Sequence, residues 1–212
     1  MDLTLSEKTL IPRIVSHVAI GLFALPAVLA AQAEKAPAAP LPDAQQIAAA
    51  LAPLPTEFRE SARVLGYHAG SPKLIEIRKG SGAFTCIATD PAQPRYHAAC
   101  YHNAMEPFML RGRELRDQGV KGDKVDTVRF AEVKSGKIVM PKFPAALYQL
   151  NGPGDVVDAA TGAVKGAQPT NVIYIPFATS ASTGLSAQPV QGSPWIMFPG
   201  TPKAHIMLVG KM

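Results

Sequence analysis

The residues best suited to metal chemistry lie in one short stretch, residues 96–106. It contains His97, His102 and Glu106. Neutral imidazole and carboxylate groups are common zinc ligands, so these three residues are candidate metal ligands. Side chains on a β-strand alternate between two faces, and the odd separation of His97 and His102 places them on opposite faces. A metal site here therefore needs a further histidine supplied by folding. Otherwise these histidines are surface or hydrogen-bonded side chains.

A second group of candidate residues lies near the C-terminus. Trp195, the only tryptophan, is followed by a Pro-Gly-Thr-Pro turn and then by Lys203 and His205, which share one face of the predicted last strand. A long polar loop that includes Thr183 precedes the tryptophan, and loops of this length are often functional. We expect a ligand pocket here, with Trp195 as its apolar wall, His205 as its titratable group and Lys203 and Thr183 as polar contacts. In the alternative interpretation, Trp195 fills the core and His205 has no chemical role.

Established catalytic motifs are absent from the sequence. It contains no H-E-x-x-H, G-x-S-x-G or S-x-x-K motif and no phosphate-binding glycine loop. The Gly-Ser-Gly segment at 80–82 resembles a nucleophile elbow only superficially, because it lies in a predicted hairpin turn. Arg111, Arg113 and Arg116 are split between helix faces, which favours a solvated face over an anion site. We predict no bound cofactor.

The net charge is mildly basic. The 21 Lys and Arg residues against 16 Asp and Glu residues give a formal charge of +5 at pH 7. Proteins that bind nucleic acids usually concentrate more basic charge on one face. The composition therefore argues against a nucleic-acid partner, while it favours weak attraction to anionic surfaces.

Residues 1–33 have the three parts of a cleavable secretory signal peptide. Lys8 and Arg13 precede an apolar run, and Ala31 and Ala33 form an A-x-A cleavage site. Polar and helix-breaking residues make this run a poor membrane span, which needs about 20 predominantly apolar residues. An uncleaved membrane anchor is the alternative. We predict a periplasmic or extracellular protein with no stable membrane span after cleavage.

Cys86 and Cys100 are the only cysteines, and an isolated pair in an exported chain is typical of a disulfide. Residues 83–89 and 95–102 have the composition of strands, and Asp-Pro-Ala-Gln-Pro between them is typical of a turn. The two cysteines are symmetric about this turn, so a hairpin places them opposite each other, within disulfide range. A nucleophilic or metal-binding thiol is the alternative.

The rest of the chain is predicted to consist of a tether followed by one globular domain. Residues 34–55 are a Pro/Ala-rich tether with a short helix at 44–51, and residues 56–212 are a single globular domain. A second helix is predicted from Pro107 to about Gln118. Strand patterns include 73–79, 126–133, 137–140, 146–150, 172–177 and 204–209. They indicate an α+β fold, with a mainly antiparallel sheet of about eight short strands, one to three helices and one disulfide hairpin.

Hypotheses of different functional classes follow. The first is a non-catalytic exported domain that binds a small molecule or an envelope protein. The alternative is a metal-dependent or histidine-based enzyme with its pocket near Trp195 and His205. A structural envelope protein without a small-molecule site is the third.

Overall fold

The computed structural model describes residues 39–189 and 192–209. The predicted signal peptide, residues 1–33, and the beginning of the predicted tether lie outside this part of the chain.

The described residues form an α+β fold around one eight-stranded sheet. The strands are β1 Arg63–Gly66, β2 Ile75–Arg78, β3 Phe84–Ile87, β4 Arg95–His102, β5 Ala145–Pro153, β6 Gln168–Tyr174, β7 Trp195–Met197 and β8 His205–Val209. Their spatial order is β2-β1-β3-β4-β5-β6-β8-β7. β1 and β3 are parallel, and every other neighbouring pair is antiparallel. The sheet is therefore mainly antiparallel, as the strand patterns predict.

Five helices accompany the sheet in the described residues. They are α1 Asp43–Leu51, α2 Thr56–Arg59, α3 Glu106–Asp117, α4 Asp123–Lys134 and α5 Ser180–Thr183. α1 and α3 confirm the helices predicted near these positions, and Pro107 lies in the first turn of α3, where a missing N–H costs nothing. None of the helices in the described ranges has the length and apolar character that a bilayer crossing requires.

The predicted disulfide hairpin is present. Cys86 on β3 is the cross-strand partner of Cys100 on β4, and the two sulfurs are bonded. Both cysteines are completely buried in a cluster with Ala50 and Leu51 of α1. The next residue along β4, Tyr101, points to the opposite face of the sheet because strand side chains alternate. α1 therefore covers the disulfide on one face.

The second face of the sheet packs on α3 and α4. Tyr101, Leu147 and Val172 from three neighbouring strands form a cluster with Phe108 of α3 and Phe130 of α4. This cluster and the cluster around the disulfide together make up most of the hydrophobic core on β3, β4, β5 and β6.

The strand predicted at 126–133 is wrong, because this segment makes up most of α4. Its β-branched residues suggested a strand, but Val125 and Arg129, four residues apart, are the two buried positions. That spacing matches a helical face. Two acidic residues, Asp123 and Asp126, also lie in the first turn, where they interact favourably with the helix dipole.

The segment predicted as a strand at 137–140 does not join the sheet. The alternation on which that prediction rested is nevertheless real. Ile138 and Met140 are buried in the α3–α4 cluster, whereas Val139 between them is 72% exposed. The sequence pattern thus predicted which side chains are buried, but not the hydrogen bonding of the backbone.

Candidate functional site

Trp195 and His205 lie on adjacent antiparallel strands, on one face of the sheet. Trp195 pairs with Met207 in the β7–β8 register, two positions beyond His205. His205 is buried, and its Nδ1 lies 2.7 Å from the carbonyl oxygen of Lys203. A carbonyl only accepts, so Nδ1 carries the proton. Burial is the main cause that lowers the pKa of His205, which makes the neutral ring the dominant form at pH 7.

Lys203 and Thr183 already have partners within the protein. The Lys203 ammonium lies 2.8 Å from the Asp126 carboxylate and 4.4 Å from the centroid of the Phe198 ring. The Thr183 hydroxyl donates to the carbonyl oxygen of Thr179 at 2.8 Å, within its own turn of α5. The structure therefore brings Lys203 and His205 together around Phe198, and it gives Thr183 a local capping role.

The three metal candidates are not brought together. The Nδ1 of His97 lies 2.8 Å from the side-chain oxygen of Asn151 on β5, and the Nδ1 of His102 accepts from the backbone N–H of Ala104. His97 and His102 are on opposite faces of β4, as their odd separation predicts. Within the described ranges, no group of three or more His, Cys, Asp or Glu side chains is placed to hold a metal ion.

Glu106 belongs to a network of charged and phenolic groups at the start of α3. It accepts from the hydroxyl of Tyr101, from Arg113 at 2.8 Å and from Arg63 at 3.3 Å. The Arg113 side chain is only 14% exposed, so the predicted solvated face is wrong at this position. Burial is the main cause that raises the pKa of Tyr101, and its hydroxyl remains protonated as a donor to Glu106.

A cavity of about 260 Å³ lies at the other end of the β3–β4 hairpin, beside the start of α1. The residues that line it come from four separate segments of the chain, namely 39–49, 88–96, 154 and 157–159. Leu41, Ala49, Ala88, Tyr96 and Val157 give it mainly apolar walls. The volume is slightly below the usual range of ligand pockets, roughly 300–1,000 Å³, so the cavity suits a small ligand.

The polar groups in the walls of this cavity are satisfied by the protein. The Gln46 side chain, itself 5% exposed, donates to the carbonyl oxygens of Leu41 and Tyr67 and accepts from the N–H of Tyr67. The Tyr96 hydroxyl donates to the carbonyl oxygen of Ala49 at 2.8 Å. Burial raises the pKa of Tyr96, so the phenol stays neutral. The walls therefore present mainly apolar surface to a ligand.

The rim of the cavity carries one positive and one negative side chain. Arg95 lies at the start of β4, is exposed, and pairs with no carboxylate in the part of the chain that the structure describes. Asp90, on the same rim, accepts a hydrogen bond from the backbone N–H of Ala92 at 2.9 Å, within the β3–β4 turn. Arg95 is therefore the group on this rim that is available to pair with an anionic group of an apolar ligand.

The outer wall of the cavity is formed by the loop that contains residues 157–162. The shape of this loop depends on close contacts between backbone atoms. Asp158 accepts from the backbone N–H groups of Ala160 and Thr161, both at 2.9 Å. Gly162 has a φ of +73°, and a Cβ at this position would lie 2.4 Å from the carbonyl oxygen of Gln45 in α1. The loop can lie on α1 only because residue 162 has no side chain.

Replacing Gly162 with alanine is therefore expected to destabilise the fold more than Gly166→Ala does. Gly166 has a similar φ of +75°, but nothing lies within 4 Å of the position of its Cβ. Both variants carry the cost of a positive φ, roughly 1–2 kcal/mol. The steric conflict with Gln45 adds about 1–2 kcal/mol in Gly162→Ala alone. Urea denaturation of both variants measures the difference, and equal free energies of unfolding would show that the loop does not depend on this contact.

The fold and the cavity define an α+β protein with one disulfide and a small apolar pocket. No protein-family model, curated protein or solved structure matches this chain.

Sequence reasoning did not identify the cavity. Six of its fifteen lining residues are alanine or proline, and the lining segments are far apart in the chain. Tyr96 and Arg95 were the available signals, since they adjoin the predicted hairpin turn. Neither residue type indicates a pocket without the segments that pack against it.

Proposed function

We propose that the protein is an exported, non-catalytic binding domain for a small apolar carboxylate, held in the cavity between α1 and the β3–β4 turn. The observation that carries the proposal is the apolar cavity with Arg95 at its rim. The polar groups in its walls are used by the protein's own hydrogen bonds, which suits binding rather than chemistry. The buried disulfide is compatible with a periplasmic or extracellular location.

The Arg95 guanidinium is the group expected to recognise the carboxylate. A charge-assisted hydrogen bond to a carboxylate is worth more than a neutral one, although exposure at the rim reduces its contribution. The acyl or ring part of the ligand would contact Tyr96 and Val157. Octanoate is a suitable probe, and methyl octanoate, which lacks the charge, is its matched control.

Octanoate is expected to bind the protein and raise its melting temperature, and Ala159→Phe should abolish both effects. Ala159 is exposed on the rim and lines the cavity, so the larger side chain fills the pocket without altering the core. Ala160→Phe is the control, because Ala160 is also exposed but does not line the cavity. Isothermal titration calorimetry measures the affinities. Thermal unfolding measures the rise in melting temperature, which follows because octanoate binds only the folded protein.

The charge is tested separately with Arg95→Gln. We expect octanoate to bind this variant about 3- to 10-fold more weakly, with little change for methyl octanoate.

Equal binding to the Ala159→Phe and Ala160→Phe variants would place the ligand elsewhere. Zinc bound stoichiometrically to the purified protein and lost in His97→Ala or His102→Ala would instead favour the metal-dependent enzyme.

A further inference from the structure

Three loops meet at the end of the sheet where β4 and β6 finish and β5 and β8 begin. They are residues 141–144, 175–178 and 198–204. The second and third loops are joined by backbone hydrogen bonds, from Phe177 N to Thr201 O at 2.9 Å and from Gly200 N to Ala178 O at 2.7 Å. The first and second loops line a shared shallow groove. The three loops therefore form one continuous surface.

Each loop presents a phenylalanine to solvent. Phe143 and Phe177 are each 54% exposed, and Phe198 is 41% exposed. Phe177 and Phe198 also have φ values of +65° and +53°, a region that a bulky side chain rarely adopts. Exposed apolar patches mark interaction sites or promote aggregation, and backbone strain, which costs stability, concentrates at functional positions. Their coincidence on adjacent loops indicates a surface kept for binding.

The charge around these rings is positive. The three loops contain Lys142 and Lys203 and no aspartate or glutamate. Lys142 is exposed, and Lys203 lies against the Phe198 ring. The carboxylate that faces Lys203, Asp126, is shared with Arg129. An anionic partner complements this surface.

The backbone N–H groups of residues 175–178 and 199–204 need little water. Pro176, Pro199 and Pro202 have no N–H. Every other N–H in 175–178 and 199–204 donates to a carbonyl or hydroxyl oxygen within the same two loops. Unsatisfied backbone donors are what keep irregular loops out of the apolar region of a bilayer. Because residues 175–178 and 199–204 use their donors in this way, their N–H groups add little to the cost of entering the interfacial region.

We propose that this phenylalanine surface, formed by Phe143, Phe177, Phe198 and Lys142, docks the protein on an anionic phospholipid bilayer. The three rings insert at the boundary between headgroups and acyl chains, and Lys142 contacts lipid phosphates. Three separated rings on rigid loops suit a lipid surface better than a peptide, which requires a groove for its backbone. This inference does not depend on the ligand proposed for the cavity.

The test compares sedimentation of the protein with phosphatidylglycerol-rich vesicles and with phosphatidylcholine vesicles. We expect preferential binding to the anionic vesicles that weakens with salt. Phe177→Gly/Phe198→Gly should reduce the partition coefficient about 100-fold, roughly tenfold for each ring removed. Lys142→Gln should reduce it about fivefold. All variants are made in the full chain, so that residues 1–38 are common to every sample.

The glycine variants separate lost binding from lost folding. Glycine adopts a positive φ readily, which offsets part of the packing lost with each ring, and urea denaturation measures whether Phe177→Gly/Phe198→Gly remains folded under the conditions of the binding assay. Leu110→Ala, at an exposed apolar position on α3, is the control and should bind vesicles normally. Unchanged vesicle binding in the glycine variant would overturn the proposal. The proposal would also be overturned if the glycine variant lost self-association in sedimentation velocity but still bound vesicles. A second copy of the chain would then be the partner that occupies this surface.

Discussion

Replacing Asp126 with asparagine is expected to lower the free energy of unfolding by about 3–5 kcal/mol. The Asp126 carboxylate accepts from the guanidinium of Arg129 and, at 2.8 Å, from the ammonium of Lys203. The Arg129 side chain is 6% exposed and covers the Phe108 ring, with its Cζ 3.9 Å from the ring centroid. An amide at position 126 leaves a buried cation without a counter-charge. This costs far more stability than the loss of an ion pair on the surface.

Glu132→Gln on the same helix is the matched control. Glu132 also bridges two cations, Arg111 at 2.8 Å and Lys137 at 2.9 Å. These partners are more accessible to water than Arg129, and Lys137 is 65% exposed. We expect this variant to lose about 1 kcal/mol or less in urea denaturation. Equal losses in the two variants would show that burial of Arg129 does not set the cost.

The dependence of stability on pH gives an independent readout of Asp126. Burial acts to raise the pKa of Asp126, but the hydrogen bonds from Lys203 and Arg129 outweigh it and place the pKa below its ordinary value. The resulting stability is fully present above the pKa of the unfolded chain. It is lost as pH falls through the lower pKa of the folded protein. The Asp126→Asn variant should lack this part of the acid transition.

Local patterns were sufficient to predict the hairpin that carries the disulfide. The strand predicted at 95–102 is β4 itself, and Cys86 pairs with Cys100 as the symmetry about the turn requires. Turn chemistry and side-chain alternation are properties of neighbouring residues, so a single sequence contains them. The α+β class follows for the same reason.

Other features depend on contacts that no local pattern contains. Arg129 is buried because Gly112 on α3 leaves room for its guanidinium, which would lie 2.9 Å from a Cβ at that position. The pairing of these two residues follows from the packing of α3 against α4. The cavity likewise exists only where α1, the hairpin turn and the 154–159 segment meet. Residue types suggested a pocket near Trp195, but pocket shape is a tertiary property.

Replacing both Cys86 and Cys100 with alanine is expected to lower the free energy of unfolding by about 3 kcal/mol, the cost of releasing a loop of about 15 residues in the unfolded chain. Because the hairpin register forms by backbone pairing and by packing against α1, the double variant should keep the native fold. Urea denaturation of the oxidised wild type, the reduced wild type and the double variant measures the effect, and the last two should agree closely.

The position of the disulfide also determines how it is reduced. Both cysteines have no exposed surface, and Cys100 Sγ lies 3.3 Å from the carbonyl oxygen of Ala50 in α1. A thiol reductant must reach a sulfur atom directly, so reduction of the folded protein requires opening of α1 or of the whole domain. At moderate dithiothreitol concentrations the rate should therefore rise steeply with urea. A rate that does not change with urea would mean that the sulfurs are accessible in the native state, and it would contradict the packing of α1 over the hairpin.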